Sequence, residues 1–226
     1  MMNFLVLPQL SINTDNKDFS LVVAGGRKPD NSWFKEVSKD KEIYCADKGI
    51  EIAIENNLIP KLLLGDCDST NKSFYEKAKD FGTKVELHPR EKDDTDLQLL
   101  LKNLPDKNYI FTGIWGGRFD HLFANVYSLL NFKLLNKNKI IMADEKEIML
   151  LMDANDEVVV NLKEKPKAIS ILPLSKEINV SIKNVRWELE KTDLIMLKPY
   201  AISNEALGDS FTFKCFSGCS GLYMIF

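Results

Sequence analysis

The sequence predicts an α/β domain followed by an all-β domain, and two observations carry this prediction. From residue 20 to about residue 152, short apolar runs alternate with segments of helical spacing, a pattern typical of βαβ units with a parallel sheet. From Asp153 onward, short β-like segments are separated by turn residues, which indicates a β-sandwich or barrel. We therefore expect domains at residues 1–152 and 153–226.

The individual elements follow from apolar runs and from the residues that end them. Residues 3–7 are predicted as an edge strand and residues 11–18 as a turn-rich connection. The first domain then has predicted strands at 20–24, 42–46, 61–64, 84–87, 109–114 and 139–152, the last giving one or two strands. Predicted helices cover 49–57 and 71–81, and two more begin near Asp96 and His121. The second domain has predicted strands at 157–162, 168–174, 178–182, 185–190, 194–199, 210–216 and 222–226.

Composition and charge exclude several classes of protein. The 226 residues can bury a sizeable core, and 45% hydrophobic with 28% charged residues is ordinary for a globular protein. A net charge of −3 gives no basic surface, so we expect no nucleic-acid partner. The four cysteines have no zinc-ligand spacing and are expected to be free thiols. The short N-terminal apolar segment, interrupted by Pro8, and the lack of a bilayer-length run predict a cytoplasmic protein without a membrane partner.

The stretch at residues 61–70 carries the first chemical signal. An apolar strand ends at Gly65 and is followed by Asp66 and Asp68. Two aspartates one residue apart in a loop can share one hard cation, which prefers oxygen ligands. A turn followed by a helix cap is the alternative, and for this stretch alone it is the more common explanation.

Acidic residues also follow two other predicted strands. Asp47 follows residues 42–46, and Asp93, Asp94 and Asp96 follow residues 84–87. Thr95 and Gln98 fit a capping box, which would explain Thr95 and one aspartate. The mutual repulsion of three aspartates in four residues favours a cation among them.

Glycine pairs follow two further strands. Gly25 and Gly26 would let a phosphate approach backbone N–H groups, although a tight turn explains them equally well. Arg118 follows a second glycine pair and suits a phosphate contact, and Asp120 comes two residues later. The alternative is that Asp120 caps a helix and Arg118 is a solvated charge; for this pair we favour function. His121 and Asn125 share one helix face, and for His121 alone the structural explanation is favoured.

These strand ends are expected to converge, because the carboxyl ends of parallel strands lie along one edge of a sheet. Converging carboxylates with oxygen-only ligands indicate Mg²⁺, which usually bridges substrate phosphates. Phosphoryl or pyrophosphoryl transfer is therefore the predicted reaction class.

Several linked motifs resemble the thiamine pyrophosphokinase family. They are Asp47-Lys48-Gly49, Gly65-Asp66-Cys67-Asp68-Ser69, Lys92-Asp93-Asp94-Thr95-Asp96, Gly116-Gly117-Arg118-Phe119-Asp120-His121, Val185-Arg186-Trp187-Glu188-Leu189 and Ser203-Asn204-Glu205. The resemblance implies a Rossmann-like α/β domain that binds ATP and Mg²⁺, and a β-sandwich domain that binds thiamine. The implied reaction moves pyrophosphate from ATP to the thiamine hydroxyl, giving thiamine diphosphate and AMP. It also implies a homodimer whose site is shared between subunits.

Residue roles carried over by the resemblance complete the predicted site. Asp66, Asp68 and Asp96 are the implied Mg²⁺ ligands, and with Asp93 and Arg118 they form the predicted catalytic set. The predicted cofactor- and substrate-binding residues are Gly25, Gly26, Asp47, Lys92, Thr95, Arg118, Asp120, His121, Asn125, Ser203 and Asn204.

The sequence departs from the family at two places, and two other functions stay open. Lys48 stands where the family usually has glycine, and Tyr223 or no residue replaces a C-terminal tryptophan that stacks on thiamine in some members. Trp187, Phe216 and Tyr223 could attract a cationic thiazolium, but we expect such residues in a sandwich core more often. The alternatives are a Mg²⁺-dependent kinase or phosphohydrolase for another small molecule, and a non-catalytic thiamine- or nucleotide-binding protein.

Overall fold

The computed structural model describes residues 3–15, 18–65, 72–89 and 91–226, and these form a mixed α/β structure. The chain divides into two compact units. The α/β unit is Asp18–Asp144, and the β unit joins the described part of Met1–Lys17 with Glu145–Phe226. No helix in the described ranges is long and apolar enough to cross a membrane.

The elements are numbered in chain order. The strands are β1 (Asn3–Val6), β2 (Leu10–Thr14), β3 (Phe19–Val23), β4 (Ile43–Ala46), β5 (Leu62–Gly65), β6 (Lys84–Leu87), β7 (Asn108–Thr112), β8 (Ile140–Ala143), β9 (Glu147–Met152), β10 (Glu157–Leu162), β11 (Ala168–Pro173), β12 (Glu177–Lys183), β13 (Leu189–Ile195), β14 (Ser210–Ser217) and β15 (Ser220–Ile225). The helices are α1 (Asn31–Ser38), α2 (Gly49–Glu55), α3 (Lys72–Asp80), α4 (Asp96–Asn103) and α5 (Phe119–Asn136).

The α/β unit contains six parallel strands in the order β8-β7-β3-β4-β5-β6. Strands β3, β4 and β5 are buried at every residue, which explains why they are continuous apolar runs without alternation. From β3 the chain builds the sheet in one direction through β4, β5 and β6, and then returns to the other side of β3 to form β7 and β8. The order of strands therefore reverses between β3 and β7, where open α/β sheets bind ligands.

The β unit is made of antiparallel pairings. Six strands pair in the order β1-β2-β10-β14-β12-β13, and β11, β15 and β9 pair in that order. Burial alternates along β14, with Phe211, Phe213 and Cys215 inside. This is the period of two expected of a strand with one face in the core.

Most predicted elements coincide with observed ones within a few residues, but two local predictions are wrong and one helix was not predicted. Residues 10–14 form strand β2 instead of a turn, because Leu10 and Ile12 are buried and β2 pairs with both β1 and β10. Helix α1 was not predicted; the Asp30 side chain caps it by accepting from the backbone N–H groups of Ser32 and Trp33 at 2.8 and 3.1 Å.

The third difference is in the β unit, where residues 185–190 and 194–199 do not form two strands. A single strand, β13, covers Leu189–Ile195. The Asn204 side chain accepts from Trp187 N at 3.1 Å and donates to Trp187 O at 2.7 Å. These bonds occupy the backbone groups of Trp187 that a strand ladder would need.

The division between the compact units falls between Asp144 and Glu145. Strand β9 belongs to the β unit, because it pairs along its whole length with β15. The N-terminal hairpin of β1 and β2 belongs to the β unit, because β2 pairs with β10.

Candidate functional site

A cavity of about 690 Å³ lies in the α/β unit at the carboxyl ends of its strands. Its lining comes from the segments that follow β3, β4, β6 and β7 and from the first turns of α5. The lining residues are Ala24, Gly25, Gly26, Ala46, Asp47, Lys48, Lys92, Asp93, Asp94, Thr95, Asp96, Leu97, Gly113, Ile114, Gly116, Gly117, Arg118, His121, Leu122 and Asn125. The cavity is thus at the reversal of strand order, as expected for this kind of sheet.

The two glycine turns of the cavity are in close backbone contact. Gly26 N donates to Gly113 O at 2.6 Å, and the N–H of Arg27 donates to Trp115 O at 2.6 Å. A Cβ on Gly26 would lie 2.6 Å from Gly113 O, and Gly113 itself has a φ of +64°. Both positions therefore require glycine, because a side chain would separate the turns or strain the backbone.

The acidic segment before α4 is held by a capping box. Thr95 Oγ1 accepts from Gln98 N at 3.2 Å, and the Gln98 side chain accepts from Thr95 N at 2.9 Å. The Gln98 amide also donates to Ser128 Oγ on α5 at 3.0 Å. The local sequence therefore fixes where α4 begins and with it the backbone that carries Asp93 and Asp96.

Two lysines contact the aspartates of this segment. Lys92 Nζ lies 2.6 Å from Asp96 Oδ1, and both side chains are largely buried. Lys102 Nζ lies 2.5 Å from Asp94 Oδ2. Part of the positive charge that the sequence argument assigned to a metal ion is therefore supplied by lysines.

Arg118 and Asp120 form an exposed ion pair beside the cavity. Arg118 Nε donates to Asp120 Oδ1 at 3.1 Å and Nη2 donates to Oδ2 at 2.5 Å. The Arg118 bond lowers the pKa of Asp120, and the same bond raises the pKa of Arg118. Asp120 also accepts from His121 N at 3.0 Å, in the first turn of α5. The Asp120 carboxylate therefore holds Arg118 at the cavity wall in addition to contacting the helix start.

The donor set of the cavity fits a hard cation by its chemistry. Asp47, Asp93, Asp94 and Asp96 all present carboxylate oxygens, and Mg²⁺ prefers such ligands. Within the described ranges there is no group of three or more His, Cys, Asp or Glu side chains that could hold a metal ion. Asp66 and Asp68, two of the three predicted ligands, lie outside the described residues.

The structure brings most of the predicted site residues together. Those that line the cavity are Gly25, Gly26, Asp47, Lys92, Asp93, Thr95, Asp96, Arg118, His121 and Asn125. Asp120 is beside it through Arg118, and Ser203 and Asn204 belong to the β unit. Lys48 and Asp94 line the cavity without having been predicted as site residues, although both stand inside motifs already recognised.

In the β unit, Ser203 and Asn204 support an exposed tryptophan. Ser203 N donates to Ser170 Oγ at 3.1 Å, and the backbone of Asn204 pairs with Ile169. Trp187, held by the Asn204 side chain, is 54% exposed, and the Arg186 guanidinium carbon lies 5.0 Å from its ring centroid. The expectation that Trp187 is a core residue is therefore wrong.

The other two aromatic candidates are half-buried. The Tyr223 hydroxyl donates to the Glu147 carboxylate, and the Lys191 and Lys214 ammonium groups lie 5.5 and 5.4 Å from the Phe216 ring centroid. A ring already flanked by two cations is a poor partner for a cationic ligand. Trp187 has one cation near its ring, Arg186, and is the most exposed of the three side chains.

Comparisons with known proteins match both units. Residues 34–142 match the family model described as thiamin pyrophosphokinase, catalytic domain, and residues 157–219 match that described as thiamin pyrophosphokinase, vitamin B1 binding domain. The thiamine pyrophosphokinase of Bacillus subtilis is 28% identical over 206 residues, covering 87% of this chain and 94% of the relative. Thiamin pyrophosphokinase 1 of Caenorhabditis elegans is 31% identical over 157 residues, covering 65% of this chain and 62% of the relative.

Solved structures of similar proteins share the fold. The thiamine pyrophosphokinase of Bacillus subtilis superposes with a TM-score of 0.79 at 24% identity, covering 92% of this chain and 98% of that one. That of Candida albicans has a TM-score of 0.74 at 17% identity, covering 92% and 90% of the two chains. The two family models together span more than half of the sequence. The chain therefore belongs to the thiamine pyrophosphokinase family.

Proposed function

We propose that this chain is a Mg²⁺-dependent enzyme that transfers pyrophosphate from ATP to the hydroxyl of thiamine, giving thiamine diphosphate and AMP. The observation that carries the proposal is the cavity at the reversal of strand order, which collects residues from the segments that follow four separate strands. Its residues fall within or next to the segment that matches the catalytic-domain model. A volume of about 690 Å³ is in the range of small-molecule and cofactor sites.

The phosphates of ATP are assigned to the glycine turns and the basic side chains. Gly25 and Gly26 offer close backbone approach, and Arg118 offers a guanidinium fork that matches phosphate oxygens. Asp66, Asp68 and Asp96 would hold Mg²⁺, which when bound supplies positive charge to the phosphate oxygens. Lys92, in contact with Asp96, is assigned to donate to the same oxygens.

Thiamine is assigned to the acidic side of the cavity and to the β unit. Asp93 is exposed in the cavity and is assigned to orient the attacking hydroxyl. In the reaction the hydroxyl oxygen releases its proton to solvent and forms a bond to the β-phosphorus, the bond between that phosphorus and the bridging oxygen to the α-phosphate breaks, and AMP leaves. Thiamine is a cation, so carboxylates and the open face of Trp187 attract it without a basic surface.

We further propose the finer architecture that the family resemblance implies. The α/β unit would be Rossmann-like and bind ATP, and the β unit would be a β-sandwich that binds thiamine. Two subunits would share each site, with Ser203 and Asn204 facing the α/β unit of the partner. Mixed dimers test this: Asp96→Asn and Ser203→Asp subunits, each inactive alone, should regain up to a quarter of full activity when refolded together in equal amounts. Light scattering that shows only monomers would contradict the shared site.

Product analysis tests the reaction directly. The purified protein is incubated with ATP, Mg²⁺ and thiamine, and the products are separated by chromatography. AMP and thiamine diphosphate in equal amounts support the proposal. ADP would indicate a phosphoryl-transferring kinase, inorganic phosphate alone a phosphohydrolase, and intact ATP with bound thiamine a non-catalytic binding protein.

The variant Asp96→Asn tests the role of the acids. We expect kcat to fall by about 10²-fold or more, because one electrostatic contact to the transferring group is lost. The matched control is Asp106→Asn, an exposed acid before β7 at the opposite ends of the strands, which should keep full activity. Near-normal turnover of a folded Asp96→Asn variant would remove Asp96 from the metal site.

A further inference from the structure

A long-range ion pair adjoins two residues of the cavity wall, Gly26 and Gly116. Arg27 Nε and Nη2 both donate to Asp144 Oδ2, at 2.9 and 2.6 Å. The Asp144 side chain is fully buried, whereas 28% of the Arg27 side chain is exposed. Arg27 follows β3 and Asp144 follows β8, so the pair joins two strand ends that have β7 between them.

Arg27 also contacts the loop after β7 through its backbone and its side chain. Its N–H donates to Trp115 O at 2.6 Å. A Cβ on Gly116 would lie 3.1 Å from Arg27 Cβ and 3.9 Å from Cδ, so the Arg27 side chain runs along this glycine. Arg27 and Asp144 are absent from the lining of the cavity itself. They adjoin its wall, because Arg27 follows Gly26 in the chain and lies against Gly116.

The loop needs such a support because its own sequence provides little rigidity. Gly116 and Gly117 have φ values of +73° and +70°, and glycine loses more conformational freedom on ordering than other residues. The next residue, Arg118, is the N-cap of α5 and makes no side-chain capping hydrogen bond. The Asp120 carboxylate holds the Arg118 guanidinium, whereas the position of the Arg118 backbone depends on the two glycines before it.

We infer that the Arg27–Asp144 pair is a positioning device for the phosphate-binding loop Gly113–Arg118. This inference rests on the proposed function, in which Arg118 contacts the phosphates of ATP. Asp144 fixes the Arg27 side chain, Arg27 fixes Gly116 from behind, and Gly116 with Gly117 fixes Arg118. The pair thereby sets the affinity for the nucleotide, while thiamine contacts are left unchanged.

The expected effect is selective for ATP. In Arg27→Gln the KM for ATP should rise about tenfold or more, with a smaller change in kcat and no change in the KM for thiamine. The KM for ATP of Arg27→Lys should lie between those of the wild-type protein and Arg27→Gln, because a lysine keeps the positive charge beside Asp144 but lacks the planar guanidinium. A general loss of stability would lower the active fraction without changing the KM for ATP.

A double-mutant cycle shows whether the two residues act as one unit. Arg27→Gln, Asp144→Asn and the double variant should raise the KM for ATP by similar factors, because either change alone already releases the loop. The matched control is Glu42→Gln, which removes an ion cluster with Lys61 and Lys107 beside the amino ends of β4 and β7. That variant should lose stability but keep the KM for ATP.

Two measurements separate this inference from the proposed reaction. Calorimetry with ATP alone reports nucleotide binding without turnover, and hydrogen exchange reports the Gly26 and Arg27 amides that donate to Gly113 and Trp115. Weaker ATP binding and faster exchange at these amides in Arg27→Gln support the device even if wild-type protein forms no thiamine diphosphate. A folded Arg27→Gln or Arg27→Lys variant with wild-type affinity and exchange would overturn it. Wild-type protein that binds no ATP would overturn both proposals.

Discussion

Thr95→Ala separates a structural role from a ligand contact at the centre of the acidic segment. Thr95 lines the cavity and was predicted to bind the substrate, yet its hydroxyl accepts from Gln98 N at 3.2 Å as the cap of α4. Loss of a threonine cap costs about 1 kcal/mol, within a range of about 0.5–2 kcal/mol. The bond from Gln98 to Ser128 at 3.0 Å remains, which favours the lower half of that range.

The assay combines unfolding and kinetics. Urea unfolding should show a free energy of unfolding about 1 kcal/mol lower in Thr95→Ala, and Thr95→Ser should restore most of it because serine is an equally good cap. The KM for ATP should change by about threefold or less, since Asp93 and Asp96 keep their side chains. A tenfold rise in KM at unchanged stability would refute the reasoning and make Thr95 a ligand contact.

Two further predictions concern exposed and charged groups. Trp187→Ala should lower the free energy of unfolding by less than about 1.5 kcal/mol, because the ring is 54% exposed and loss of a buried ring would cost about 3–5 kcal/mol. Guanidinium unfolding measures this difference, and a larger loss would mean that the ring packs in a core. Hydrogen bonds from Lys61 and Lys107 lower the pKa of Glu42 from 4.5 to about 2. A depressed carboxyl pKa stabilises the fold above the unfolded value of 4.5, and this stabilisation is lost as the pH falls towards 2. After discounting for partial exposure, we expect Glu42 to contribute about 1 kcal/mol to the free energy of unfolding. The wild-type protein should therefore lose stability more steeply between pH 5 and pH 3 than Glu42→Gln does. Parallel curves of stability against pH would contradict this expectation.

Local patterns were sufficient for the parts of the fold that local forces decide. The fully buried strands β3, β4 and β5 are visible as apolar runs because both of their faces are covered. The capping box of α4 is visible because its partners are three residues apart. Convergence of the strand-end residues followed from parallel pairing alone, and the cavity contains most of them.

Long-range pairings could not be read from the sequence in the same way. The partner of Arg27 is 117 positions away, and no local spacing links the two residues. Trp187 was expected in the core as an aromatic residue of a predicted sandwich, but the side chain of Asn204 holds its backbone and the ring is exposed. In both cases a distant polar side chain decides the outcome, whereas the local pattern reports only hydrophobicity.

The repulsion among the aspartates before α4 predicted only part of the local structure, because their lysine partners could not be identified from the sequence. Asp94 and Asp96 were expected to need a cation, and each has a lysine beside it. Lys102, the partner of Asp94, is eight residues further along the chain in the last turn of α4, so this compensation depends on where α4 begins. The sequence thus indicated correctly that these carboxylates need positive charge nearby, but it did not show that lysines supply part of that charge.

The N-terminal hairpin has a consequence for the order of events during synthesis. Strands β1 and β2 leave the ribosome before the α/β unit does, but Ile12 pairs with Val160, which is made only after the whole α/β unit. At translation rates of about 5–20 residues per second, the hairpin waits roughly 7–30 s for its partner strand. During that time the edge of β2 that later pairs with β10 has no neighbour from its own sheet, and such an edge is a template for wrong pairing. The α/β unit can complete its folding in this interval, whereas the β unit stays incomplete until β10 has been made.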